Sequence, residues 1–488
     1  MEKQDKKPNI IAIIGAIVLL VLAVVGISYA FFSAFINGGE TDTSVEGTGA
    51  NLSLVYTDGK SVITSSNIMP GWSATKTFTV TNNGEADTYY KLNISNITNE
   101  FVEGGLTFSI ASADGGTSVA EQAVGTTTRT ISPSITIAEG ATHTYTVTAK
   151  YINLNTDQTP DLGKSFSYTI GIEASQKPTF KDIILANNEV KTPITTPGAA
   201  VSTSSEALLA SAEDDYGTSY YFRGAVTNNY VEFANKCWRI VRIGGDNTVK
   251  LILHNDNISN ASNPCSSANN STTAAFVHYD GNIYKSEFNS NYNDNAYVGF
   301  MYGTPGSTTY EATHANTNKS TILTNLETWY NNNLKTYESV IDNNVFCNDK
   351  SLSSGSGYSA NATDYAARER LYTSKIPSLK CNGELSKITS KIGLITADEL
   401  AFAGYAVRGY ITTSYLKENA TGYSWWSLSP AGFYNKSLSY VFRVRSDNDA
   451  IDICNVDVDS SVRPVISLVS SITISGVSGT SEDPYVVK

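Results

Sequence analysis

The side chains best suited to binding a ligand are concentrated near the C-terminal end of the chain. Residues 434–461 are rich in Tyr, Ser, Asn and Asp, the adaptable residues of binding loops. The expected ligand is an extracellular glycan or protein. With the tryptophans just before this stretch, the candidate ligand-binding residues are Trp425, Trp426, Tyr434, Asn435, Tyr440, Asp447, Asp449 and Asp452.

Two of these features have a structural alternative. The rings of Trp425 and Trp426 suit a hydrophobic core as well as a pocket. The acidic run at residues 447–452 has calcium-type oxygens, but it lacks the Gly and Glu that complete an EF-hand loop. We therefore interpret the run as a solvated turn, and we predict no metal site and no cofactor. Arg463 is interpreted as a buried arginine that ties the terminal strand to a neighbouring loop.

No residue pattern in the chain indicates catalysis. The histidines are scattered, at positions 143, 254, 278 and 314, without HExxH spacing. There is no GxSxG turn, Walker loop or GxGxxG motif. Residue order leaves a Ser-His-Asp triad open, but we predict that the protein is not an enzyme.

The cysteines suggest disulfides. Cys237 is expected to pair with Cys265, and Cys347 with Cys381, which leaves Cys454 unpaired. The alternative is five buried free thiols.

Composition points to an exported, β-rich protein. Charged residues make up only 16% of the chain and aromatic residues 10%, including 29 tyrosines. The net charge of −12, without a basic stripe, argues against binding to nucleic acid.

The N-terminal region predicts a membrane anchor. Residues 10–36 carry no charged side chain, and about 20 such residues cross a bilayer as a helix. The lysines of residues 1–9 place this short tail in the cytoplasm and the rest of the chain outside. Residues 28–30 resemble a signal-peptidase site, so the alternative is a secreted protein cleaved near Ala30. Both interpretations export the remainder.

Behind a stalk at residues 37–47, residues 48–175 predict an antiparallel β-sandwich. Apolar residues alternate with polar ones, as in Phe78 and Val80 or Tyr90, Leu92 and Ile94, which is the pattern of strands with one buried face. Turn residues separate these strands.

Residues 176–213 are predicted to form a proline-containing linker, and residues 214–488 are predicted to form an α+β domain. Two strands flank the hairpin loop at residues 244–247. Ser320 is expected to cap a helix, and Thr396 with Glu399 to form the capping box of another. The predicted fold class is thus membrane-anchored and mainly β: a transmembrane helix, an antiparallel sandwich and an α+β domain.

Both folded parts resemble known families. The stretch MPGWSATKTFTVTNNG at residues 69–84, preceded by an apolar segment ending in YAFFSA, is similar to sandwich domains of the camelysin/TasA type. The series WWSLSPAGF, YVFRV, AIDICNVD and VRPVISL, from residue 425 to residue 468, resembles exported bacterial domains related to C-type-lectin-like and formylglycine-generating-enzyme-like folds. The chain has Ser461 and Leu428 where that pattern usually has Gly and Arg. No cysteine matches a formylglycine-generating motif, so that activity is not carried over.

These resemblances imply a cell-surface binding or adhesion protein that displays a lectin-like domain on a β-sandwich. One alternative is a structural component of the cell envelope or biofilm matrix, assembled by self-association. Another is a binding protein whose loop at residues 434–461 is diversified by a retroelement.

Overall fold

The structure, which we describe from a computed structural model, is mainly β, with many strands and few helices. The described residues are 32–35, 45–49, 52–58, 68–84, 87–175, 178–408, 413–472, 474–475 and 478–487. The chain divides into two compact units, Met1–Pro178 and Thr179–Lys488. Each is considered by itself below.

The first unit consists of antiparallel strands in two sheets. One sheet has the order β1-β10-β5-β8 and the other β2-β3-β4-β9-β6-β7. The strands are β1 (Phe32–Phe35), β2 (Val45–Gly49), β3 (Leu52–Asp58), β4 (Trp72–Asn82), β5 (Thr88–Asn99), β6 (Leu106–Ser112), β7 (Val119–Ala123), β8 (Arg129–Ile137), β9 (Thr142–Tyr151) and β10 (Phe166–Ser175).

Both sheets contribute side chains to one hydrophobic core. Phe78 and Val80 of β4 are buried together with Tyr90, Leu92 and Ile94 of β5. Their polar neighbours along each strand are more exposed. The alternation read from the sequence is therefore confirmed, because only one face of each strand meets the core.

The predicted N-terminal elements are only partly within the described residues. Phe32–Phe35 form a strand paired with β10, so the predicted helix of residues 10–36 does not extend over these four residues. Residues 10–31 and residue 36 lie outside the described part. The predicted stalk also ends early, because Val45–Gly49 form a strand paired with β3.

In the part of the chain that the structure describes, every helix is too short or too polar to span a bilayer.

The second unit combines helices with many short strands. Its helices are α1 (Phe180–Asn187), α2 (Tyr310–Thr313), α3 (Thr321–Asn333), α4 (Ala366–Arg368) and α5 (Ala397–Phe402). Its strands are β11 (Ala207–Asp214), β12 (Gly217–Gly224), β13 (Tyr230–Phe233), β14 (Lys236–Ile243), β15 (Val249–Asn255), β16 (His278–Tyr279), β17 (Asn282–Ile283), β18 (Lys285–Ser286), β19 (Met301–Tyr302), β20 (Asn318–Lys319), β21 (Asn344–Cys347), β22 (Leu352–Gly355), β23 (Thr363–Tyr365), β24 (Lys387–Ser390), β25 (Trp425–Tyr434), β26 (Leu438–Val444), β27 (Ile451–Asn455), β28 (Ser460–Ser461), β29 (Val465–Leu468), β30 (Ile474–Ser475) and β31 (Tyr485–Val487).

Two larger sheets organise this unit. The first runs β11-β12-β14-β13-β31-β30, with β15 joining β14 to β29. The second runs β18-β28-β25-β23-β22, with β26 and β27 added beside β25. Most pairs are antiparallel, but β13 with β31 and β25 with β28 are parallel. One extended hydrophobic core draws side chains from both sheets.

The predicted linker is folded over much of its length. Helix α1 begins at a capping box formed by Thr179 and Asp182, and it buries Phe180 and Ile184 in the core of the second unit. Strand β11 then pairs with β12 along its whole length. The prolines that suggested a linker lie at 178, 193 and 197, outside these two elements.

Local signals in the second unit are confirmed. Ser320 accepts a hydrogen bond from Leu323 N and caps α3. Thr396 and Glu399 form the expected capping box of α5. The hairpin of β14 and β15 encloses residues 244–248, close to the predicted turn.

The cysteine pairing is also confirmed. Cys237 is bonded to Cys265 and Cys347 to Cys381, with Cα separations of 4.9 and 5.6 Å. Cys454 is a buried free thiol.

Candidate ligand-binding site

The two candidate tryptophans belong to the core. Trp425 and Trp426 have no exposed surface. Trp426 donates its ring N–H to Ser286 O at 2.7 Å and packs edge-on against Phe288. The guanidinium of Arg463 lies over the ring of Trp425. Neither ring is available to a ligand at the surface, so the core alternative holds and the predicted ligand contact is corrected.

Asn435 has a conformational role. It is exposed and lies with Lys436 in the turn between β25 and β26, where both residues have positive φ. Ser437 N donates to Tyr434 O at 3.2 Å and closes the turn. Asparagine is favoured in this left-handed conformation, which explains its presence without a ligand.

The acidic run does not converge on one point. Asp447 pairs with Arg445, whereas Asp449 pairs with Lys417 at 2.8 Å. Within the described residues, no group of three or more Asp, Glu, His or Cys side chains is arranged to hold a metal ion.

The remaining three candidates do lie close to a common surface. Tyr434 and Tyr440 have ring centroids 5.3 Å apart on neighbouring strands β25 and β26. The Tyr434 hydroxyl donates to Asp364 Oδ1 at 2.6 Å. Asp452 of β27 accepts from the Tyr372 hydroxyl at 2.8 Å. The sheet register therefore aligns residues that are far apart in the chain.

Arg368 joins the two halves of this surface. Its guanidinium carbon lies 5.4 Å from the ring centroids of both Tyr372 and Tyr434. The same side chain pairs with Asp364 at 3.0 Å and is 35% exposed. We call this group, Asp364, Arg368, Tyr372, Tyr434, Tyr440 and Asp452, the tyrosine–arginine patch.

The patch is ordered before any ligand arrives. Burial and the hydrogen bond to Asp364 raise the pKa of Tyr434, and burial with the bond to Asp452 raises that of Tyr372. Both phenols therefore remain donors at physiological pH. The Tyr434 ring lies where a side chain at Gly432 would be, since a Cβ there would meet the ring hydroxyl at 2.1 Å.

Sequence reasoning missed half of this patch. Asp364, Arg368 and Tyr372 lie about the short helix α4, in a region without a candidate motif. A signal was present for two of them, because Arg368 and Tyr372 lie four residues apart, the spacing that places side chains on one face of a helix. Asp364 belongs to strand β23, where this spacing does not apply.

A second cluster of charges is structural. Lys250 and Arg242 donate to Glu399 Oε1 at 2.7 and 2.9 Å, and Arg370 pairs with Asp398 and Asp349. These groups line a cavity of about 40 Å³, which has room for water but not for a sugar. Their charges are already paired, so the cluster stabilises the fold.

The fold and the site define a mainly β protein with two disulfides. Disulfides persist in oxidising compartments, so the protein folds outside the cytoplasm. Neither a protein-family model nor a curated protein matches the chain.

Proposed function

We propose that this chain is a cell-surface binding or adhesion protein whose C-type-lectin-like second unit engages an extracellular protein through the tyrosine–arginine patch. The patch is the observation that carries the proposal. Tyrosine and arginine are enriched among residues that dominate binding energy at protein interfaces. Here they are half-buried and already held by hydrogen bonds, which lowers the entropic cost of binding.

In this proposal the first unit is a β-sandwich of the camelysin/TasA type, and the apolar segment before β1, residues 10–31, anchors the chain in the membrane. A mature protein that begins near Phe31 would instead be secreted. Mass spectrometry of the mature N-terminus distinguishes these forms.

The structural matrix role is the alternative, and one observation favours it. Among the described strands, β8 ends its sheet, and an open edge permits self-association. Pro133 within β8 weakens this route, because proline lacks the N–H that edge pairing requires.

Binding of the full-length chain to an array of extracellular matrix proteins tests the proposal. We expect Arg368→Ala and Tyr440→Ala to weaken any specific interaction by about tenfold or more. Lys436→Ala, in the exposed turn next to the patch, is the matched control. An affinity that the patch substitutions do not change, or filament formation without binding, would favour the matrix role.

A further inference from the structure

The second unit has a polar cleft away from the tyrosine–arginine patch. Its lining includes residues 255–259, Asn282, Lys285 and Tyr423. Its volume is about 580 Å³, within the range of pockets that bind small molecules. The cleft is therefore large enough for a short oligosaccharide.

The wall of the cleft is rigid. Asn255 donates to Pro264 O and Asn269 O at 3.0 Å, and Asn257 donates to Asn235 O at 2.8 Å. The disulfide from Cys265 to Cys237 fastens the same loop to strand β14. A ligand would meet a preformed surface and would not have to order the loop.

Two side chains of the cleft have polar atoms available to a ligand. The His278 ring is not one of them, because its side chain is only 6% exposed and its Nδ1 lies 3.7 Å from Asp256 Oδ2. Asn282 is exposed and uses only its N–H group, in a bond to Asp280 O. The Lys285 ammonium lies 5.1 Å from the ring centroid of Tyr423.

The charges favour an acidic ligand. Asp256 is already paired with Lys236 at 2.8 Å, so its charge is compensated. Lys285, in contrast, has no carboxylate within ion-pair distance among the described residues. A lysine that contacts a ring but has no carboxylate partner in a preformed cleft suits an acidic ligand.

We propose that this cleft binds an oligosaccharide that carries a carboxylate, such as one containing a uronic acid. The carboxylate pairs with Lys285, and the sugar ring packs against the accessible part of the Tyr423 ring. Sugar hydroxyls bond to Asn282. This site is independent of the patch and of the protein ligand proposed for it.

Calorimetry on the full-length chain tests the proposal with two probes. One is a trisaccharide with a single uronic acid, and the other is the same trisaccharide with that carboxyl group reduced to an alcohol. We expect the acidic probe to bind at least about tenfold more tightly. We also expect Lys285→Gln to remove this preference.

Lys436→Gln, an exposed lysine outside the cleft, is the control and should change neither affinity. Equal affinity for the two probes would overturn the proposal. So would the absence of binding at millimolar probe, or an acidic preference that survives Lys285→Gln. Binding through the tyrosine–arginine patch should be unaffected by the cleft variants, so the two proposals fail separately.

Discussion

The guanidinium of Arg463 lies over the indole of Trp425, with its central carbon 5.1 Å from the ring centroid. Arg463 also donates to Leu253 O at 2.8 Å and to Leu416 O at 2.6 Å, and its side chain is fully buried. The arginine therefore ties the segment before β29 to two other chain segments, as expected from the sequence. The guanidinium of that arginine packs against the face of the Trp425 ring.

This relationship predicts losses of stability of different size for two aromatic candidates. Trp425→Ala should lower the free energy of unfolding by about 3–5 kcal/mol, because it leaves a large cavity under Arg463. Tyr440→Ala should cost about 1 kcal/mol, since its ring is half-buried and contacts Tyr434. Urea unfolding measures both. Similar losses for the two variants would contradict the division into core and patch.

A substitution at Gly432 should disturb the tyrosine–arginine patch and leave the stability of the fold nearly unchanged. Gly432→Ala places a methyl group where the Tyr434 ring now lies, and the ring can rotate away. We expect loss of the Tyr434–Asp364 hydrogen bond and weaker ligand binding, with a nearly unchanged unfolding midpoint. A crystal structure of the variant shows the ring position. An unmoved ring would refute this prediction.

The disulfides predict a defined thiol count. Without reductant, one thiol per chain should react, and only after denaturation. Cys454 is buried, and this burial raises the pKa of its thiol. Replacing both Cys347 and Cys381 by Ser should cost about 2–4 kcal/mol of stability. Five reactive thiols in the denatured chain would instead support the free-thiol interpretation.

Buried histidines predict weaker folding in acid. Burial lowers the pKa of His254 and lowers that of His314 to about 3. Below pH 6.5 the unfolded chain takes up protons that the folded chain does not, so the free energy of unfolding decreases as the pH is lowered. Each histidine contributes a slope of about 1.4 kcal/mol per pH unit. His314→Gln should reduce the slope measured between pH 6.5 and 4.5, and an unchanged slope would contradict this assignment.

Glu399 should also lose its contribution to stability as the pH falls, but at lower pH than the histidines. Burial alone raises its pKa, but Lys250 and Arg242 outweigh burial and lower the pKa to about 2. The stability that this carboxylate contributes is complete above its ordinary pKa and is lost as pH falls toward 2.

At neutral pH, Glu399→Gln should cost about 3–5 kcal/mol, because it leaves the buried Lys250 without its partner and removes one of the two carboxylates paired with Arg242. Glu384→Gln, whose side chain is 88% exposed, is the control and should have little effect. Urea unfolding of the two variants at pH 7 and at pH 3 checks both statements. A difference between the variants that does not shrink at low pH would argue against the ion pairs.

The elements that the sequence predicted well depend on neighbours along the chain. The alternation around Phe78, the caps at Ser320 and Thr396, and the hairpin after β14 each follow from a few consecutive residues. Export also rests on local signals, and the disulfides agree with it. Both disulfides join cysteines that are neighbours along the sequence, 28 and 34 residues apart, so pairing adjacent cysteines predicted both bonds.

Only the tertiary structure decided which face of each element meets the core. Trp425 and Tyr434 lie on the same strand, yet one is under Arg463 and the other is in the patch. Tyr434 reaches Asp364, 70 residues away, because β25 pairs with β23. Burial and long-range strand pairing depend on how the whole unit packs. The sequence pattern shows which residues are apolar, but it does not show which residues pack against them.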